Sequence, residues 1–141
     1  MSLTHSCTYR VSYGDTDRMD RVYYANYLVI CERARTEFLR EAGFPYREIE
    51  AGGCFFPVRQ CHIRYYGYAV YDDLLTCRSF VSRLRHATLA IDTEIYRPPG
   101  EKPIVVASVE LAAVDHTGKP ILIASDLRNA ITPYLREASG G

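Results

Sequence analysis

YGDTDRMDRVYYANYLVICERARTEFLREAG, residues 13–43, joins an acidic loop to a tyrosine-rich turn and a long helical pattern. An apolar stripe recurs every three or four positions through its second half. The stripe consists of Tyr27, Leu28, Cys31, Ala34, Phe38, Leu39 and Ala42. Gly43 suits a helix stop, and Asn26 or a residue just before it suits the N-cap. The stretch therefore predicts a helix of about five turns that begins directly after an acidic loop.

The size and charge of the chain limit its function classes. Its 141 residues fit a single domain over 1–141, with a core at about 7–135. Lys+Arg and Asp+Glu both number 17, so the formal net charge is zero and nothing favours nucleic acid as a partner. A neutral chain has little colloidal repulsion, which is compatible with an oligomer. No run of 18 apolar residues occurs, so we expect no membrane span.

The cysteine pattern predicts free thiols rather than a disulfide framework. The five cysteines, an odd number, include no CxxC pair and no Cys/His group with metal-ligand spacing. They are Cys7, Cys31, Cys54, Cys61 and Cys77, and each lies in an apolar-rich segment that predicts burial. Because the N-terminus also lacks a secretory pattern, we expect a cytoplasmic protein without a bound metal.

Alternating apolar and polar residues predict antiparallel strands on both sides of the helix. The strand segments are 7–13, 55–66, 74–84, 87–96 and 104–114, and the apolar run 121–124 is a sixth candidate. Residues 46–51 predict one more helical turn, and Pro133 is suited to open a short terminal helix. This order predicts an α+β fold in which one helix covers one face of a curled antiparallel sheet of five or six strands.

Three carboxylates, Asp15, Asp17 and Asp20, lie in the acidic loop. Aspartate is common in solvated turns and near helix N-termini, so a structural role is the simplest interpretation. Here a helix start follows at once, with unpaired backbone N–H groups and a partial positive charge. A carboxylate beside such donors can act as a general base on water or as a nucleophile on an acyl carbonyl. The N–H groups would then hold the developing oxyanion.

Residues 13–17 (YGDTD) and 22–27 (VYYANY) together resemble the signature of the hotdog-fold acyl-CoA thioesterases. They are similar in particular to the 4-hydroxybenzoyl-CoA thioesterase and YbgC-like branch. Later blocks of that branch resemble residues 32–40, 64–66, 72–75 and 114–120, so the resemblance extends over roughly residues 7–135. It implies a hotdog fold, in which a long central helix is wrapped by the sheet.

The resemblance implies hydrolysis of an acyl-CoA thioester, with Asp17 as general base or nucleophile. Backbone N–H groups of Tyr24 and Ala25 would form the oxyanion hole. Asn26 and Tyr27 would shape the helix start and contact the substrate. No cofactor is implied, since coenzyme A arrives with the substrate, and the family assembles as homodimers or homotetramers with the site between subunits.

Two positions depart from the family pattern. Asp20 stands where the family has glycine, and Arg18 stands where proline or alanine is usual. A second carboxylate would raise the pKa of Asp17, whereas a neighbouring cation would lower it, so the direction stays open. Asp20 is equally suited to line the acyl pocket or to cap the helix, and we include it among the substrate-binding candidates.

Arg83, Arg85 and His86 lie at a predicted reversal between two strands. Coenzyme A carries a pyrophosphate and a 3′-phosphate, which need cations at the rim of the site. The family places basic residues in this region, so these three are candidate CoA contacts. Hairpin ends are often polar in any case, so solvation alone is the alternative.

Two other function classes stay open. One is a non-hydrolytic module that binds acyl-CoA or acyl-carrier protein. The other is a hotdog hydratase or dehydratase, whose chemistry usually pairs a histidine with an acid, and no histidine lies in or beside the acidic loop. The absence of a GxSxG sequence argues against an α/β-hydrolase thioesterase. The acyl group stays open among short aliphatic, long aliphatic and aromatic classes.

Overall fold

Residues 2–136 are described by the computed structural model, and one antiparallel sheet of five strands organises them. The strands are β1 (His5–Arg10), β2 (Val58–Tyr65), β3 (Leu74–Leu84), β4 (Thr88–Tyr96) and β5 (Pro103–Ala112). The helices are α1 (Asn26–Glu41), α2 (Tyr46–Ala51) and α3 (Ser125–Ile131), and 3-10 turns lie at Tyr13–Asp15 and Thr132–Tyr134. The strand order β1-β3-β4-β5-β2 puts the first two strands on opposite edges of the sheet.

Helix α1 lies against the sheet and confirms the predicted amphipathic helix. It has 16 residues. Its first residue is Asn26, and Ala25, the residue just before it, is the N-cap. Its buried residues are Tyr27, Ile30, Cys31, Ala34, Phe38 and Leu39, and the helix contacts β1, β3, β4 and β5. At its end the N–H of Phe44 donates to the carbonyl of Leu39 at 2.9 Å, and Gly43 has a φ of +96°. This left-handed C-terminal cap explains the glycine at position 43.

The structure differs from the predicted strand pattern at the end of the first strand and at the run 121–124. The first strand ends at Arg10 rather than Tyr13, because the chain turns there into the 3-10 turn and leaves the Tyr13 side chain 79% exposed. The run 121–124 forms no strand and leads into α3, so the sheet has five strands, the lower of the two numbers predicted. Ile123, Leu127 and Ile131 are buried at a spacing of four residues, which is typical of a helix. Only Ile123 lies within the apolar run 121–124, so the run by itself does not reveal this spacing.

The five cysteines are free, and four of them are at least partly buried. The prediction of burial is wrong for Cys61, which is exposed because it lies on the edge strand β2. Seven of the eight residues of β2 are exposed and only Ile63 is half-buried. In contrast, burial raises the pKa of the Cys31 thiol to about 12, so that sulfur is an inert part of the core.

Candidate active site

Asp15 fastens the acidic loop to two other parts of the chain. Its Oδ2 accepts the hydroxyl of Tyr9 at 2.7 Å and the N–H of Ser12 at 2.8 Å. Its backbone carbonyl accepts the N–H of Tyr23 and the side-chain amide of Asn26, each at 2.9 Å. Strand β1, the loop and the start of α1 therefore meet at one residue, which acts as a positioning group rather than a reacting one.

These contacts also keep the Asp15 carboxyl ionised. Its partial burial opposes ionisation, but the hydrogen bonds from Ser12 and Tyr9 and the charge of Arg33 outweigh that effect. The pKa of Asp15 is therefore held below its ordinary value. The ionised carboxylate accepts the hydrogen bonds from both Tyr9 and Ser12, and these bonds hold the loop in place. The loop conformation therefore depends on the negative charge of Asp15.

Asp17 begins a tight turn and keeps one carboxylate oxygen free. Its Oδ1 accepts the N–H of Met19 at 2.8 Å, and its backbone N–H donates to the carbonyl of Arg21 at 2.9 Å. Within residues 2–136, no hydrogen bond engages its Oδ2. The side chain is exposed. Asp17 thus presents a fixed carboxylate with one oxygen available to a water molecule or a carbonyl carbon.

Asp20 occupies the tip of this turn with a left-handed backbone, at a φ of +62°. Glycine adopts that conformation most easily, and aspartate is among the few side-chain-bearing residues that tolerate it. Aspartate can therefore take the place of the family's glycine in this backbone conformation. The side chain of Asp20 lines a neighbouring cavity with Tyr13, Arg18 and Tyr71, whereas Asp17 lines both that cavity and the cleft described next.

A cleft of about 320 Å³ lies between the acidic loop, the start of α1 and the segment that follows β2. It brings together Asp17, Tyr24 and Tyr27, three of the residues predicted from sequence. Its remaining lining residues are Met19, Arg21, Val22, Tyr23, Tyr65, Gly67 and Tyr68. Ala25 and Asn26 lie beside it along the chain, and the Asn26 amide turns away from the cleft to hold Asp15.

Tyr65 and Tyr27 fix the backbone around the helix start. The Tyr65 hydroxyl donates to the carbonyl of Tyr24 at 2.9 Å, and the Tyr27 hydroxyl accepts the N–H of Ala69 at 3.0 Å. Within the described range, no backbone carbonyl accepts the N–H of Tyr24 or Ala25. These two N–H groups, at the positive end of α1, are the donors available to a developing oxyanion.

Arg21 and Tyr68 are cleft residues that the sequence did not single out. The Arg21 guanidinium carbon lies 3.8 Å from the centre of the Tyr68 ring, within cation–π range. Arg97 lies 5.6 Å from the same ring and forms a 2.8 Å ion pair with Asp73. A cation therefore borders the cleft. The alternation of arginines with acids in the loop was the available signal for Arg21, but no local pattern marked Tyr68.

Arg83, Arg85 and His86 lie at the opposite end of the sheet from Asp17. Strand β3 starts beside the acidic loop and runs 11 residues to Leu84, a distance of about 30 Å. The predicted tight reversal is confirmed, since the N–H of Arg85 donates to the carbonyl of Thr88 at 2.8 Å. Arg83 approaches Glu110 at 3.8 Å. Within one chain these three residues are not brought to the cleft.

No metal site is apparent in the part of the chain that the structure describes. Over residues 2–136, no three His, Cys, Asp or Glu residues are grouped so that they could hold an ion. Over the same residues, no helix is both long and apolar enough to span a membrane.

Comparison with known proteins gives matches over most of the chain. The family model described as the thioesterase-like superfamily matches residues 11–131, which include the whole acidic loop and α1. The acyl-CoA thioesterase YbgC of Haemophilus influenzae is 35% identical over 123 residues, which cover 86% of this chain and 89% of that protein.

Two further similarities extend this result. The acyl-CoA thioester hydrolase YbgC of Escherichia coli O157:H7 is 37% identical over 86 residues, which cover 61% of this chain and 64% of that protein. A crystal structure described as a probable thioesterase from Bartonella henselae superposes with a TM-score of 0.82 at 36% identity. It covers 86% of this chain and 100% of its own.

Proposed function

The chain belongs to the thioesterase-like superfamily, and on that premise we propose that it hydrolyses acyl-CoA thioesters in the cleft beside Asp17. It is a thioester hydrolase of the YbgC-like group. The observation that carries the assignment of the site is a cleft that brings the exposed carboxylate of Asp17 together with Tyr24 at the start of α1, where the backbone N–H groups of Tyr24 and the adjacent Ala25 donate to no backbone carbonyl within residues 2–136. Those are the two components that acyl transfer to water needs.

The mechanism follows from this pairing. The substrate carbonyl oxygen accepts the N–H groups of Tyr24 and Ala25, so that the negative charge of the tetrahedral intermediate is held at the positive end of α1. The free Oδ2 of Asp17 either takes a proton from the attacking water or attacks the carbonyl carbon itself. In both routes the C–S bond breaks, CoA leaves as its thiol, one water molecule is consumed, and the acid product gains one oxygen.

The two routes differ in the origin of that oxygen. Single turnover in 18O-labelled water leaves Asp17 unlabelled if the carboxylate is a general base. If Asp17 forms an anhydride that water opens at the aspartyl carbonyl, the label enters the Asp17 side chain. Mass spectrometry of the peptide that contains Asp17 detects this label, and its presence establishes the nucleophilic route.

Thiol release across a panel of acyl-CoA substrates tests the function. We expect Asp17→Asn to lower turnover by about 10²- to 10⁴-fold, the contribution of a positioned general base. Asp20→Asn is the matched control, because it changes a carboxylate in the same loop that lines the neighbouring cavity instead. Near wild-type turnover of Asp17→Asn would contradict the mechanism. The exposed Cys61 also reacts with thiol reagents, so enzyme alone gives the background.

We propose further that α1 is the central helix of a hotdog fold and that two copies associate along β2. An eight-residue edge strand with seven exposed residues supports this, because an open edge readily pairs with another strand. A tetramer would be a pair of such dimers. Sedimentation equilibrium gives the assembled mass, and a monomer at micromolar concentration would contradict the proposal.

The same assembly gives a role to Arg83, Arg85 and His86. Because they lie far from the cleft of their own chain, we propose that they contact the phosphates of CoA bound at a neighbouring subunit. Arg85→Gln then raises KM without lowering kcat, as expected for a contact made equally in the ground and transition states. Arg40→Gln is the control, since Arg40 is an exposed arginine whose guanidinium already pairs with Glu37 at 3.3 Å.

No cofactor enters this mechanism, so we propose that activity withstands chelating agents. Free cysteines support a cytoplasmic location, because thiols persist in a reducing compartment. Substrates delivered by acyl-carrier protein are tested in the same panel, as are aliphatic and aromatic acyl groups.

A further inference from the structure

Cys7 and Cys77 face each other directly across two paired strands. Residue 7 of β1 is the register partner of residue 77 of β3 in the antiparallel ladder. Opposed residues in such a ladder have Cα atoms about 4.5–5.5 Å apart. Disulfides span Cα separations of about 4.4–6.8 Å, so the backbone is already arranged for a bond between the two sulfurs.

Both sulfurs lie on the side of the sheet that faces α1. Cys77 is buried in a cluster with Ile30, Cys31 and Ala34, and Cys7 packs against that cluster. Cys7 and Cys77 also line one cavity of about 340 Å³ between β1 and α1. Cys7 is half-buried, so a reagent that enters the cavity from solvent can reach its sulfur.

The two thiols have unequal roles. The hydrogen bond that Cys77 donates to the Cys7 sulfur lowers the pKa of Cys7, although burial and the charges of Glu37 and Glu41 oppose that effect. The same hydrogen bond and burial raise the pKa of Cys77. Because Cys7 is half-buried whereas Cys77 is buried, Cys7 is the sulfur that a reagent in the cavity reaches first, and the direction of its pKa agrees with that order. Cys7 is therefore the attacking sulfur and Cys77 the resolving one.

We propose that Cys7 and Cys77 are a dithiol site that reacts with low-molecular-weight disulfides and closes into an intrachain disulfide. The Cys7 thiolate attacks one sulfur of the disulfide RSSR, forms a mixed disulfide and releases one RS⁻. Cys77 gives up its proton to solvent and attacks the Cys7 sulfur, which releases the second RS⁻. The dithiol loses two electrons and RSSR gains them, and the two protons lost by the cysteines are available to the released thiolates.

This site is separate from the cleft at Asp17, because the two share no lining residue. The cross-link would nevertheless affect the same strand, since Cys7 precedes by two residues the Tyr9 whose hydroxyl holds Asp15. Oxidation therefore fastens the edge strand β1 to β3 next to the anchor of the acidic loop.

The experiment treats the reduced protein with excess glutathione disulfide and maps its thiols by mass spectrometry without reduction. We expect the loss of two of the five thiols, a mass lower by two hydrogens, and a link between tryptic peptides 1–10 and 65–78. Cys77→Ala should instead hold one glutathione on Cys7, because the resolving thiol is missing. Cys61→Ser, which removes an exposed and distant thiol, should leave the two-thiol loss unchanged.

Two results would overturn the proposal. In one, Cys7 and Cys77 stay open to alkylation while Cys61 carries the glutathione. In the other, the link joins Cys77 to Cys31, its neighbour in the buried cluster. The wild-type peptide map decides between these outcomes without any variant, so a poorly folding Cys77→Ala does not affect the conclusion.

Discussion

The side-chain amide of Asn26 donates a 2.9 Å hydrogen bond to the backbone carbonyl of Asp15, eleven residues earlier. Asn26 is the first residue of α1, and Asp15 precedes by two residues the carboxylate of the cleft. Together with the N–H of Tyr23, which donates to the same carbonyl at 2.9 Å, this hydrogen bond positions the two parts of the proposed site, the carboxylate of Asp17 and the N–H groups at the helix start, relative to each other.

Asn26→Ala should therefore lower turnover although the side-chain amide of Asn26 points away from the cleft. Loss of the hydrogen bond costs about 1 kcal/mol of stability. A misplacement of about 1 Å between reacting groups costs up to about 10²-fold in rate. Steady-state kinetics and urea unfolding measure the two effects. Asn129→Ala is the control. Asn129 is the only other asparagine in the sequence, and it is exposed on α3. Equal turnover in both variants would contradict the positioning role.

Asp20→Gly should preserve turnover and raise the free energy of unfolding. Glycine relieves the left-handed backbone at position 20, which costs about 1–2 kcal/mol for most residues and less for aspartate. Asp20→Val should destabilise the loop, since a β-branched side chain tolerates this conformation poorly. Thermal unfolding and thiol release measure both variants. If Asp20→Gly loses as much activity as Asp17→Asn, the carboxylate of Asp20 belongs to the reacting site.

The sequence predicted α1 and the long strands because apolar residues recur at a regular spacing in each of them. Burial of one face of the element imposes that spacing. It also predicted Asp17, Tyr24 and Tyr27 as neighbours, since the loop and helix start are contiguous. The opposite cleft wall, with Tyr65 and Tyr68, depends on how β2 pairs with β5, and such pairing leaves no local pattern. The helix α3 was missed because only two buried residues, Leu127 and Ile131, mark it, and both lie outside the apolar run 121–124.

Asp15→Asn should change the pH dependence of stability. The folded-state pKa of Asp15 is lowered, so its contribution to stability is fully present above the unfolded value of about 3.9 and is lost as the pH falls through the folded value. The gap in unfolding free energy between wild type and Asp15→Asn should be widest near neutral pH and narrow below about pH 4. Urea unfolding across pH measures it. Tyr9→Phe removes one of the two hydrogen-bond donors to Asp15, so the difference in unfolding free energy between wild type and Tyr9→Phe should be smaller. A difference between wild type and Asp15→Asn that does not change with pH would contradict the lowered pKa of Asp15.

His5 and Glu41 form a contact between β1 and the end of α1. The His5 side chain is 3% exposed, its Nε2 lies 2.9 Å from a Glu41 oxygen, and its ring stacks on Phe38 at 5.8 Å. Glu41→Ala should destabilise the fold by about 1–3 kcal/mol, because it leaves a buried polar atom without a partner. Glu37→Ala on the same helix should cost less than about 1 kcal/mol, since its pair with Arg40 is exposed. Thermal unfolding compares the two, and equal losses would show that His5 does not depend on Glu41.

The exposed strand β2 also has a consequence for handling the protein. Within residues 2–136 no element covers the free edge of β2, and a chain of zero net charge has little electrostatic repulsion to keep copies apart. If two copies associate along β2 as proposed, substitutions that weaken this association should appear first as precipitation or poor yield in expression rather than as a clean population of smaller particles. Solubility, measured against protein concentration, becomes a sensitive readout of that surface.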